Sequence, residues 1–165
     1  MPRLSAGEAA ACDSEFLADV TVGGQPQRTD ATHATLTVAH INVKLQLNLT
    51  IWTPAGATSR VTEHEQGHRE IAEYYYQTAD KLAERIASRY MGRQIEISGT
   101  DLAAVSSKPL QELAADIANE YKSELNPGPT QLLYDDITDH SRNDVVVKDA
   151  VEHAIKNAAI ESKQP

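Results

Sequence analysis

From Ile41 to Ile51 every odd position is apolar (Ile41, Val43, Leu45, Leu47, Leu49, Ile51) and every even one polar (Asn42, Lys44, Gln46, Asn48, Thr50). A period of two held this long describes a strand with one wet face, the arrangement an antiparallel sheet uses. The polar positions also break any run long enough to span a bilayer. Upstream, Leu36 and Val38 share a face of opposite parity, so Ala39–His40 mark a bulge or a tight bend. Phe16, Ala18, Val20 and Val22 predict a further strand, closed by a turn at Gly23-Gly24. The strand running to Trp52 could also offer an edge to an extended peptide.

After Pro54 and Gly56 the period changes. Val61, His64, His68, Ile71, Tyr75, Ala79, Leu82, Ile86 and Tyr90 recur in steps of three and four, predicting one long helix face that ends near Tyr90, with Gly92 as its C′ residue. Thr58 or Ser59 can cap its start, and Thr62 with Glu65 also matches a capping box. A short extended stretch is expected at Ile95–Ile97. Ser107 then reads as an N-cap with Pro109 in the first turn, opening a second helix through Leu110, Leu113, Ile117, Tyr121 and Leu125. Asn126-Pro127-Gly128-Pro129 stops it, and a third helix is expected to begin near Asn143 or Asp144. Strands first and helices afterwards predict an α+β fold, with a twisted antiparallel sheet packed against the long helix. No repeat or linker divides the chain, so a single domain over residues 1–165 is expected, with residues 1–15 disordered or left over after removal of a leader.

Composition narrows the function. Fifteen basic against twenty-four acidic residues leave a net charge of −9, which argues against nucleic acid as a partner because phosphate recognition needs a cationic footprint. The lone cysteine, Cys12, allows no intrachain disulfide. The first twelve residues lack the apolar stretch of a signal peptide.

The informative stretch is His64-Glu65-Gln66-Gly67-His68, an HExxH pattern. On a helix, residues four apart stand one turn above each other, so both imidazoles can reach one ion. Zinc accepts neutral histidine nitrogens, and a catalytic site holds it with three protein ligands plus water. Glu65 falls on the adjoining flank, where a carboxylate can take a proton from that water without occupying the metal. Both histidines lie on the inward stripe, where an unpartnered ring would cost about 1–3 kcal/mol. The plain reading is two buried histidines satisfied by carboxylates; the pattern as a whole favours a metal site. A metzincin would need glycine at position 71 and histidine at position 74, and Ile71 and Tyr74 exclude it.

Glu63-His64-Glu65-Gln66-Gly67-His68-Arg69-Glu70-Ile71-Ala72-Glu73, followed far downstream by Tyr134-Asp135-Asp136-Ile137-Thr138-Asp139-His140, resembles a bacterial family of secreted zinc-dependent proteases catalogued as domain of unknown function 922. The likeness spans roughly Leu36 to Asn143. In that family a glycine usually follows the downstream histidine; Ser141 stands here. The resemblance implies a zincin-like fold, a zinc cofactor, a peptide or protein substrate, and a periplasmic or secreted location, with the cytoplasm as the alternative.

The third ligand must come from outside the helix. Glu112, Asp116 and Glu120 on the second helix could reach, and His153 is a further alternative. His140 is the choice here, because it lies in a polar loop between helices and matches the family's downstream motif. Asp135 or Asp139 could orient its far nitrogen, or serve as cap and turn residues. Tyr134 is a candidate for donating to the oxyanion formed when water attacks a carbonyl; the plain reading is that it packs. His33 is read as an exposed residue preceding a strand, His40 as a residue of the inferred bulge, and Arg69 with Glu73 as an ordinary surface pair. The expected activity is hydrolysis of peptide bonds with Glu65 as general base. The rival is a non-catalytic, zinc-stabilised binding or regulatory domain.

Overall fold

The computed structural model describes residues 10–161. The element order is β1 (Ala11–Arg28), β2 (His33–Trp52), α1 (Ser59–Tyr76), α2 (Ala79–Tyr90), β3 (Gln94–Ser98), α3 (Leu102–Glu124), α4 (Gly128–Thr138) and α5 (Val147–Glu161). The class is α+β, as the order of periods predicts. Of the segment expected to be disordered, residues 11–15 instead open β1, and residues 1–9 lie outside the described residues. The described residues fall into two compact units: one holds 10–16, Leu47–Thr78 and 126–161; the other holds Leu17–Gln46 and Ala79–Leu125.

The second of these units carries most of the sheet, whose strand order is β1-β2-β3. β2 is the middle strand, antiparallel to β3 with His33 opposite Ser98 and Thr37 opposite Gln94, so β3 pairs with it only along its first residues. Burial along β2 alternates on even positions up to Val38 and on odd positions from Ile41, with Ala39 and His40 both exposed between them. That is the parity change read from the sequence, and the strand runs through it. The Gly23-Gly24 turn does not occur: β1 continues to Arg28. A Cβ on Gly23 would lie 2.0 Å from the His40 ring, and one on Gly24 2.7 Å from the Thr37 carbonyl oxygen. These glycines serve close approach between strands, the other use a strand makes of the residue. The turn falls at Asp30, whose carboxylate accepts the backbone N–H groups of Thr32 (2.8 Å) and His33 (2.9 Å). The Thr32 N–H first, and then the His33 ring with Nδ1 2.9 Å from the carboxylate, hold the carboxyl down at about 2. Ala34, Leu36 and Ile97 form this unit's buried cluster, with Leu102, Val105 and Leu110 of α3 packed on it.

α3 begins at Leu102, five residues before the Ser107 cap read from the sequence. Asp101 is the cap, its carboxylate accepting from the Ala104 N–H at 3.1 Å. Pro109 therefore sits inside the helix, where it brings no N–H for the Val105 carbonyl. Leu113, Ile117, Tyr121 and Leu125 are buried on the predicted face.

In the other unit, α1 packs against α4 and α5. Ile71, Tyr134, Ala150, Val151 and Ala154 form its core, with Tyr75, Leu133, Ile137, Val147 and Ile155 around them. Phe16 of β1 meets Tyr76 with ring centroids 6.4 Å apart. Thr58 caps α1 through the Val61 N–H, one of the two caps expected. The helix predicted to reach Tyr90 is interrupted at Gln77–Thr78. There the Thr78 N–H turns to the Tyr75 carbonyl three residues back, and the Thr78 hydroxyl donates to the same oxygen at 3.2 Å. A two-residue break leaves the apolar spacing looking continuous. α4 corrects the sequence reading most. The stretch read as a stop does end α3 at Glu124, but it also starts a further helix, with Pro129 in its first turn and the Asn126 side chain accepting from the Gly128 N–H at 3.0 Å.

Candidate metal centre

His64 and His68 stand one turn apart on α1 and turn their rings to the same place: Nε2 to Nε2 is 3.2 Å. Asp135, on α4, brings Oδ1 to 3.3 Å from His64 Nε2 and 3.0 Å from His68 Nε2. These three residues form a group that could hold a metal ion. The same atoms would coordinate it.

The surroundings set the protonation pattern of both rings. His68 Nδ1 lies 2.6 Å from Gln131 Oε1, while Gln131 Nε2 donates to the His68 carbonyl at 3.0 Å. The amide thus grips the histidine at ring and backbone together. His64 Nδ1 lies 3.3 Å from Thr138 Oγ1, and that hydroxyl spends its own hydrogen on the Tyr134 carbonyl at 2.8 Å. Each Nδ1 thus faces a side-chain oxygen, and each Nε2 faces Asp135. Two imidazole nitrogens and a carboxylate oxygen converge, a donor set that a cation can bridge. Burial lowers the pKa of His68, but the hydrogen bonds to Asp135 and Gln131 outweigh it and raise it above the usual imidazole range. Burial raises that of Asp135, and the bonds to His64 and His68 pull it well below the usual carboxylate range.

Glu65 is 5% exposed on the adjoining flank of α1. Its charge helps raise the pKa of Tyr134 and of the Cys12 thiol, after burial, the larger cause in both. The acid lies beside the cluster and outside the group that converges.

His140, the expected third ligand, is not part of the converging group, which Asp135 completes. The reason is α4. As a helix it directs Gln131, Asp135 and Thr138 at α1, whereas His140 lies beyond its end, half exposed, with Nδ1 3.6 Å from Asp135 Oδ1. Tyr134, a candidate oxyanion donor, is 0% exposed and donates its hydroxyl to the His64 carbonyl at 3.1 Å. Its ring stacks on His64 (centroids 5.0 Å, planes 17° apart) and meets His68 edge-on at 4.9 Å. It packs and holds the ligand-bearing turn, which was the plain reading. Of the other candidates, Glu120 on α3 accepts the Tyr90 hydroxyl at 2.7 Å, and His153 is exposed on α5 beside Asn157.

Sequence reasoning missed Gln131 and Thr138 and cast Asp135 as a supporting residue. The signal was present: Gln131, Tyr134, Asp135 and Thr138 recur at helical spacing directly after a proline. Gly67 was also passed over. A Cβ there would meet Tyr134 Oη at 2.2 Å, so only glycine lets α1 and α4 approach this closely.

Fold and site together define an α+β chain with a helix-borne His-His-Asp group suited to a cation. No protein-family model, curated protein or solved structure matches it.

Proposed function

We propose that the chain is a zinc-dependent metallopeptidase in which His64, His68 and Asp135 hold the ion and Glu65 is the general base. The observation that carries this reading is the convergence of His64 Nε2, His68 Nε2 and Asp135 Oδ1 at 3.0, 3.2 and 3.3 Å from one another. Zinc bonds to nitrogen and oxygen are about 2.0–2.2 Å, which separates tetrahedral ligand atoms by roughly 3.3 Å. Calcium and magnesium prefer oxygen and disfavour a pair of imidazoles. Three protein ligands is also the number that catalytic zinc keeps.

When bound, zinc supplies Lewis acidity, polarising a carbonyl oxygen and lowering the pKa of water to about 7. The remaining work belongs to the chain. Gln131 and Thr138 keep the ligand rings oriented, and Glu65 accepts a proton from the attacking water. The water oxygen bonds to the carbonyl carbon, the C–N bond breaks, and the amine departs with the proton Glu65 held. A carboxylate and an amine result. A zinc-stabilised binding domain is the rival.

Elemental analysis of gently purified protein, with digestion of a peptide library, tests the proposal. Glu65→Gln is expected to retain one zinc per chain and lose hydrolysis by at least about 100-fold, while His64→Ala loses the metal. Zinc-loaded protein that cleaves nothing would support the rival; protein that takes up no divalent metal would defeat both.

A further inference from the structure

Three consecutive residues after α4 adopt left-handed backbone: Asp139 (φ 46°), His140 (φ 49°) and Ser141 (φ 68°), none of them glycine. One such residue is an ordinary helix C-cap, and Asp139 fills that place. Two more in succession exceed what capping requires, and side chains held in this region are kept only where surrounding structure over-determines them. Here it does. The N–H groups of Asp139 and His140 both point at the carbonyl of Asp135, the His140 bond being 3.2 Å long. The Arg142 N–H closes onto the Asp139 carbonyl at 3.0 Å, and Asn143 Nδ2 ties the far side to the Ile137 carbonyl at 2.8 Å. The turn is fastened to the residue that supplies the third ligand.

What the turn presents is the His140 ring. Nδ1 is 3.6 Å from Asp135 Oδ1, the same oxygen that faces His64 and His68. That is too long for a hydrogen bond, and none fastens the ring among the described residues. The side chain is 51% exposed, at the solvent side of the cluster. Tyr134, the other donor considered for the oxyanion, has its hydroxyl committed to the His64 carbonyl. An imidazole carries at least one N–H in either protonation state. We infer that His140 is a catalytic residue of the proposed hydrolysis: its N–H donates to the carbonyl oxygen of the scissile amide as that oxygen gains charge. The strained turn aims it. This inference rests on the metallopeptidase reading. His140 transfers no proton; the proton balance stays with water, Glu65 and the leaving amine.

His140→Gly tests it, because glycine suits φ 49° and removes only the ring. The zinc-loaded variant should hold or raise its thermal midpoint, bind zinc with unchanged affinity in a chelator competition, and lose 100- to 1,000-fold in kcat at a KM within about threefold. A phosphinic peptide built on the best-cleaved library sequence mimics the tetrahedral anion, and its affinity should fall about 100-fold in parallel. His140→Gln, which restores a donor, should recover part of both. Loss of zinc from His140→Gly would make the residue a ligand and overturn the inference, as would an unchanged kcat. Either result leaves the metallopeptidase reading standing, whereas wild-type protein that cleaves nothing removes both.

Discussion

Gly67→Ala separates helix propensity from packing at the metal centre. Alanine in a helix interior is favoured over glycine by about 1 kcal/mol, so propensity alone predicts a more stable protein. The structure predicts the reverse. The added Cβ would lie 2.2 Å from Tyr134 Oη, 2.5 Å from Cζ and 3.1 Å from Cε2, so the ring must retreat by roughly 1 Å to reach normal contact. It has nowhere soft to go, being stacked on His64, edge-on to His68 and hydrogen-bonded to the His64 carbonyl. Overpacking of this kind costs about 1–3 kcal/mol, and loss of a buried hydrogen bond adds about 1 kcal/mol. Set against the propensity gain, the net expectation is destabilisation by about 1–3 kcal/mol, read as a lower urea midpoint in metal-free protein. Because Tyr134 adjoins Asp135 and touches both histidines, zinc affinity should fall at least about tenfold. Tyr134→Phe removes the nearest clashing atom, so the double variant should be less destabilised than the two single losses added together. A Gly67→Ala protein with a higher urea midpoint and intact zinc affinity would show that the close approach of α1 and α4 described here is wrong.

Ser141→Gly should raise stability by about 1 kcal/mol, since Ser141 stands at φ 68°; a lower urea midpoint would mean the serine side chain contributes something that glycine cannot. Gln131→Ala should weaken zinc binding by about 10- to 100-fold with unchanged far-ultraviolet dichroism, and equal affinity would remove Gln131 from the site. Burial, then the charge of Glu65, raises the Cys12 thiol from 9.0 to about 11. The folded state thus holds the proton more tightly than the unfolded one. That contribution to stability is whole below about pH 9 and is lost as pH climbs through about 11. Alkylation of Cys12 in the folded protein at pH 8 should be far slower than in urea, and matching rates would refute the burial.

The features that were legible in the sequence are those carried by local period. β2 announces itself through Ile41–Ile51, including the parity change at Ala39–His40, and His64 and His68 fall one turn apart on a face that Ile71 continues. The features that were not legible depend on residues with two local meanings. Gly23-Gly24 reads equally as a turn or as a place where strands come close, and only the position of His40 and Thr37 decides. Pro127-Gly128-Pro129 reads as the end of one helix or the start of another. That second ambiguity conceals the candidate site, because treating 126–143 as a loop makes His140, a histidine between helices, the natural ligand. Treating it as a helix puts Gln131, Asp135 and Thr138 on one stripe, and all three then address the two histidines. Tyr134 sits on that stripe as well, and it belongs to the same core cluster as Ile71, Ala150, Val151 and Ala154. The seating of α4 that buries Tyr134 is therefore the seating that delivers Asp135. The convergence of the three side chains and core packing in this unit are two readings of one helix–helix contact, so an ion held by all three would stabilise the α1–α4 pair against unfolding. A core substitution at Ile71 or Val151 that shifts α4 must in turn loosen the ion without touching a ligand.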